Sequence, residues 1–294
     1  MEIRVLQYFL TVSREENITR AAELLHITQP TLSRQLSDLE EELGAKLLVR
    51  GKRRTTLTED GHLLRRRAEQ IVALSERTKQ EVGTSAQELG GVITIGSAEA
   101  EAAQVFAELM KRFCPQYPKV RFDFMSGNAD QIKERLDNGL LDIGLLMEPV
   151  NFDGYDFIRM PQVERWGVLL RRDDPLAARS ALTAEDLEGL PIIISKRAAD
   201  NGAQSSWFGD RFKTLHVFVT YNLVANAAML ACHGLGYVIA IEGAAANYEQ
   251  ERLCFRPFTP EISSTSAMVW QKGQTFSTAA SKFLELAKML LKHE

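Results

Sequence analysis

The chain is predicted to have two parts: an all-α N-terminal part that ends in one long helix, and a larger α/β part. Three observations predict this. Residues 19–43, TRAAELLHITQPTLSRQLSDLEEEL, have the pattern of two short helices joined by a tight turn. From Thr58-Glu59-Asp60-Gly61 toward Glu88 one helix can run for roughly 30 residues, about 45 Å at the usual rise. Beyond Leu89-Gly90-Gly91, a plausible hinge, short apolar runs alternate with amphipathic helices, the pattern of a parallel, doubly wound sheet.

Taken in order, Val5, Leu6, Phe9, Leu10 and Val12 give a first helix one buried side. Thr19 can cap the next helix, in which Ala21 and Ala22 allow close approach and Leu24 and Leu25 supply apolar grip. His26 and Ile27 mark the turn. Thr28 can cap a following helix with Pro30 in its first turn and Gly44 as its stop. Leu32, Leu36, Leu39 and Leu43 form one stripe to bury, and Pro30, Thr31, Ser33, Arg34 and Ser37 lie opposite. Such a pair is also compatible with an ordinary helical hairpin whose polar face meets water. A helix held by one stripe, with short hydrogen-bonding groups and an arginine outward, suits a major-groove reader. Lys46 to Leu57 adds a hairpin pattern with a basic tip, Gly51-Lys52-Arg53-Arg54, which can act as a wing on the DNA backbone or minor groove.

The segment AAELLHITQPTLSRQLSDLEEELGAKLLVR, followed by LTEDG, resembles the winged helix-turn-helix of the LysR-type transcriptional regulators. Two positions depart from the family pattern: Asn17 where serine is common, and Leu48 where phenylalanine is usual. The resemblance implies Gln29, Pro30, Thr31, Ser33 and Arg34 as the base-facing set, with Arg50, Arg53 and Arg54 in the wing. It also implies that the long helix pairs protomers. Its own heptad-like set, Leu64, Ala68, Ile71, Ser75, Thr78 and Val82, is weak. Arg65-Arg66-Arg67 is expected as a solvated face.

Composition sets bounds. The 294 residues allow two or three compact units. The formal charge is −4, yet residues 1–67 carry 12 Lys+Arg against 10 Asp+Glu, so only that part is mildly basic. This suits a specific binder better than a protein that coats nucleic acid. Cys114, Cys232 and Cys254 are three, far apart, and form no CxxC, so they are expected as buried small apolar residues. No apolar run reaches membrane-span length and the first residues do not read as a signal peptide, which makes a cytoplasmic location the default.

In the second part, strands are predicted at 92–95, 120–125, 143–147, 166–170, 192–195, 217–221, 237–241 and 268–270. Helices are predicted at 102–113, 130–140, 183–187, 205–212, 223–233 and 277–291. The order of elements, with LDNGLLDIGLL, LLRRDDPLA and LACHGLGYVIA, is similar to the family's effector-binding part. The implied architecture is a winged helix-turn-helix over residues 1–57, a linker helix and hinge over 58–90, and a two-lobed α/β domain like a periplasmic binding protein over 91–294. Lobe one takes 91–160 and 264–294; lobe two takes 161–263.

Ligands of open α/β sheets sit beyond the carboxyl ends of strands. That places candidates at Ser97, Ser126, Asn128, Ser195 and Asn222, each of which can also be a simple helix cap. Glu99 would repel an acidic effector unless it points outward, the expected state, or pairs with Lys196. His26, His62, His216, His233 and His293 form no HExxH and no triad, and Gly234-Leu235-Gly236 lacks a dinucleotide fingerprint, so no enzyme and no cofactor are expected. The resemblance implies as partners double-stranded DNA with an interrupted inverted repeat, a small-molecule effector, a homodimer assembled as a dimer of dimers, and RNA polymerase. The competing readings are a solute-binding protein with no DNA role and a regulator switched by thiol oxidation, for which Cys232 and Cys254 are nearest in sequence.

Overall fold

The computed structural model describes residues 1–51, 54–82, 89–201, 208–248 and 252–291. Its contacts divide the chain into two units, Met1–Thr84 and Ser85–Glu294.

The first unit begins with α1, Ile3–Glu15, which buries Val5, Leu6, Phe9, Leu10 and Val12. Helix α2, Ile18–Leu24, is capped by Asn17, whose side chain accepts the Arg20 N–H at 3.0 Å. Thr19, the expected cap, lies inside the helix. Asparagine and threonine both cap well, and a two-residue difference in boundary decided between them. Helix α3, Gln29–Leu43, is capped by the Thr28 hydroxyl, which accepts the Thr31 N–H at 3.4 Å. It carries Pro30 in its first turn and stops at Gly44, whose φ of 62° is the left-handed conformation that favours glycine. Leu32, Leu36 and Leu39 are buried as predicted; Leu43 and Leu24 are exposed, because the helix ends project beyond the small three-helix core.

Strands β1, Leu48–Arg50, and β2, Thr55–Leu57, form the antiparallel wing hairpin. The wing is fastened to the helices by one buried carboxylate. Glu40 Oε1 accepts the N–H groups of Leu47 at 2.8 Å and Leu48 at 3.1 Å, and Oε2 meets Lys46 Nζ at 3.1 Å. Burial alone would push the Glu40 carboxyl up, but the two N–H donors and Lys46 outweigh it and hold it below the usual carboxylate range.

Helix α4, Glu59–Val82, starts at Thr58, whose hydroxyl accepts the Gly61 N–H at 3.0 Å and donates to the Lys46 carbonyl at 2.6 Å. The heptad-like set shares one face but not one environment. Leu64 and Ala68 join Val72 in the core of this unit, whereas Ile71 is exposed. Among the described residues Leu63, Ile71 and Leu74 are the exposed large apolar side chains of this helix, and spacings of eight and three residues put them on one side of it. Arg65 pairs with Glu69 at 3.2 Å along the helix, as a solvated face would.

The second unit is built on a nine-stranded sheet that is mixed, not parallel as predicted. In its first half, β3 (Gly90–Ser97) lies parallel to β4 (Lys119–Ser126) and β5 (Ile143–Met147). Gly90 and Gly91, expected as a hinge, open β3. In the second half, β7 (Ile192–Ser195) is parallel to β8 (Val217–Tyr221) and β9 (Tyr237–Ile241). The antiparallel strands that join the halves are β6 (Tyr155–Arg171), β10 (Leu253–Pro257) and β11 (Ser263–Gln271). β6 pairs with β11 up to Arg165, then with β9 from Trp166 and with β10 from Gly167. One long strand thus passes from one half-sheet to the other, and β11 returns beside it.

In the first half, α5 (Gln104–Phe113) and α10 (Thr278–Leu291) close one face with Phe106, Leu109, Phe113 and Phe283. Helix α6 (Ala129–Asp137) closes the other with Ile132 and Leu136. The second half is covered by α7 (Lys196–Asn201), α8 (Val224–Cys232) and α9 (Glu242–Ala246). The helix predicted at 183–187 is a 3-10 turn at Glu185–Leu187. Part of the one predicted at 205–212 lies outside the described residues, and Gly209–Thr214 is a 3-10 segment.

Where the strand halves meet, Glu164 is buried and its carboxylate accepts the Glu101 N–H at 2.5 Å and the N–H groups of Ala102 and Gly243 at 3.3 Å. Burial raises its pKa, and the three N–H donors oppose that only in part. A raised folded pKa means that the folded chain holds the proton more tightly. This contribution to stability is therefore full below the ordinary glutamate range and is lost as pH rises through the raised value. Denaturant unfolding between about pH 4 and about pH 8 should show Glu164→Gln gaining on the wild type as pH rises. A stability difference that stays flat across that window would show that Glu164 does not titrate there.

Candidate binding sites

On α3, the buried stripe turns Gln29, Pro30, Thr31 and Arg34 to solvent, with Ser33 half-buried beside them. The Thr28 and Thr31 hydroxyls lie 2.8 Å apart, and Arg34 sits 3.9 Å from Asp38, one turn on, with its side chain 82% exposed. A loose i, i+4 pair of this kind holds an arginine weakly, so the guanidinium is available to a base edge. In the wing, Arg54 bonds Glu16 at the end of α1, so its guanidinium is tied back to the helical core. Arg53 and the side chain of Arg50 lie outside the described residues. Thr55 N–H bonds the Glu16 carbonyl at 2.7 Å, which anchors the same hairpin a second time.

The second unit contains a solvent-open cleft at the carboxyl ends of its parallel strands. Asn128, Ser195 and Asn222 are among the residues that line it. Asn128 also caps α6, accepting the Gln131 N–H at 2.9 Å, and the Ser195 hydroxyl accepts the Ala198 N–H at 3.2 Å. Ser97 and Ser126 are not among the lining residues. Ser97 is buried and donates to the Ala98 carbonyl at 2.9 Å, and Ser126 is exposed at the end of β4.

Two charged residues missing from the predicted set span the cleft. Glu99 does not point outward. It reaches from the end of β3 to the start of α8, where Oε2 accepts the Val224 N–H at 2.7 Å. Its charge adds to burial in pushing the neighbouring Tyr221 phenol upward. Lys196 is exposed and makes no ion pair with Glu99. From the other side Arg197 bonds Asp130 at 3.0 Å and the Pro149 carbonyl at 2.6 Å. Glu148, also in the lining, meets Arg159 at 3.1 Å and the Thr265 hydroxyl at 2.5 Å. The Thr265 bond, with Arg159 and against burial, holds its carboxyl below the usual range.

The cysteines divide by environment: Cys254 is buried, Cys232 half-buried and Cys114 exposed, so the expected burial fails for Cys114. All three are free thiols. No group of three or more metal-ligating side chains occurs among the described residues, nor any helix long and apolar enough to cross a membrane.

A helix-turn-helix with a wing, joined in one chain to an α/β unit with a cleft at the carboxyl ends of its parallel strands, defines a DNA-binding regulator with a sensory domain. The family model described as "Bacterial regulatory helix-turn-helix protein, lysR family" matches residues 3–62, and "LysR substrate binding domain" matches residues 86–292. The chain belongs to the LysR family of transcriptional regulators. Among its relatives, the Hca operon transcriptional activator HcaR of Escherichia coli (strain K12) is 31% identical over 285 residues, covering 93% of each chain. The uncharacterized HTH-type transcriptional regulator YvbU of Bacillus subtilis (strain 168) is 29% identical over 300 residues, 99% of each. The fold matches full-length CbnR, solved in complex with its target DNA, with a TM-score of 0.74 at 20% identity over 98% of this chain and 99% of that one.

Proposed function

We propose that this LysR-family regulator reads an interrupted inverted repeat with paired α3 helices and that a small molecule in the Glu99–Arg197 cleft changes which oligomer arrangement is favoured on DNA. The single observation that carries the DNA half is the convergence of Gln29, Pro30, Thr31 and Arg34 on the exposed side of a helix clamped by Leu32, Leu36 and Leu39. Ser33 completes the base-facing set, Arg50 and Arg53 contact phosphate or the minor groove, and Arg54 does so when it exchanges Glu16 for DNA. The division of labour follows the sequence: residues 1–57 read DNA, 58–90 pair protomers, and 91–294 sense, with 91–160 and 264–294 as one lobe and 161–263 as the other. The protein acts in the cytoplasm, carries out no catalysis, and meets RNA polymerase once bound.

Arg34→Ala is expected to weaken binding to the specific site by about 1–3 kcal/mol and to blur sequence preference. Gel-shift titrations on the specific site and on a point-altered site distinguish the roles, since an equal loss on both would reduce Arg34 to a phosphate contact. Pairing along α4 is supported by the exposed Leu63, Ile71 and Leu74. Leu74→Glu is expected to shift sedimentation toward a smaller species, and an unchanged profile would place the dimer contact elsewhere.

A further inference from the structure

The cleft holds an excess of negative charge that its own residues do not balance. Among the described residues no lysine or arginine pairs with Glu99, and the one hydrogen bond it makes at the cleft is to a backbone N–H, that of Val224. The other charges in the lining are matched: Glu148 by Arg159, and Arg197 by Asp130. The start of α8, a nine-residue helix, is where a bound anion would ordinarily be welcomed. Glu99 already occupies it. An anionic ligand would have to expel Glu99 from that N–H or sit beside a like charge, and a cation would complete the pair.

The rest of the lining fits the body of such a ligand. Met147, Pro149, Trp166, Tyr221, Leu223 and Ile241 present apolar surface. Trp166 Nε1 donates to the Ser264 hydroxyl at 2.9 Å and the Tyr221 hydroxyl donates to the Ile239 carbonyl at 2.7 Å. Both polar handles are thus engaged within the protein, and ring surface is what these residues offer a ligand. Aromatic ring faces attract a cation, as does the carboxylate beside them.

We propose that the effector is an organic ammonium compound with an apolar body, and that Glu99 is its counter-ion. The proposal rests on the reading of this cleft as the effector site. Glu99→Gln keeps an oxygen for the Val224 N–H and removes the charge, so it separates charge recognition from helix capping.

The test uses the full chain and matched probes in which phenyl, cyclohexyl and indolyl bodies on two-carbon tethers each end in an ammonium, an alcohol or a carboxylate. Calorimetric titration is expected to show the ammonium members binding about tenfold or more tighter than their alcohol and carboxylate mates, a preference that raised salt diminishes. Glu99→Gln, compared at an unchanged melting temperature, should erase that preference. A preference for carboxylates, or an ammonium preference that salt and Glu99→Gln both leave intact, would overturn the ligand class while leaving the cleft as the binding site. Failure of every probe in every series to bind would overturn the cleft reading and this proposal together.

Discussion

Glu40→Ala is expected to destabilise the N-terminal unit by about 3 kcal/mol, the sum of two buried donors left without a partner. Both the Leu47 and Leu48 N–H groups rely on Oε1 of this side chain, which is itself almost wholly enclosed. Glu40→Gln keeps an Oε1 and gives up only the contact of Oε2 with Lys46, whose side chain is 81% exposed. An exposed partner of that kind contributes little, so the glutamine variant should lose less than about 1 kcal/mol. Thermal or denaturant unfolding of the two variants decides the point, and equal losses would mean that the ion pair, not the N–H cradle, holds the wing. The sign with pH follows from the lowered carboxyl. The stabilisation is present above the ordinary glutamate range and is lost as pH falls through the lower folded value.

Gly61→Ala should be of similar size, about 3 kcal/mol, at the upper end of what overpacking usually costs. A methyl group there would lie 2.1 Å from the Leu47 carbonyl oxygen and 3.2 Å from Leu57 Cβ. The first of these is backbone, and it also accepts the Thr58 N–H at 3.0 Å, so it cannot swing aside as a side chain would. The wing and the start of α4 must separate. Unfolding measurements on the variant should show the loss, with DNA affinity falling alongside. A variant of native stability would mean that the hairpin and α4 pack more loosely than the close approach at Gly61 indicates.

The two sites differ in how much of them the sequence discloses. Helix α3 was legible because everything that defines it is local: a threonine cap, a proline in the first turn, leucines at steps of four and three, and a terminal glycine. The same local signal placed Asn128, Ser195 and Asn222 at the ends of strands, where they line the cleft. Arg197 was not legible as a cleft residue, nor was the inward turn of Glu99, which the sequence puts at the ligand end but which was expected to point outward, because their partners lie 67 and 125 residues away. Strand direction was hidden for a related reason. Residues 155–165 of β6 contain Pro161 and charged residues on an exposed stretch, and β10 ends on Pro257, so neither reads as a buried strand. With β11, these are the strands that make the sheet mixed, and β6 and β11 join its halves.

The most direct test of the account is binding of the purified full chain, at several salt concentrations, to the DNA upstream of its own gene and to a shuffled fragment of equal composition. The account predicts a strong preference for the native fragment that persists as salt is raised, with a footprint showing two related half-sites. Equal and steeply salt-dependent binding to both fragments would contradict it, leaving the helices and wing as a general electrostatic surface and not a reader of sequence.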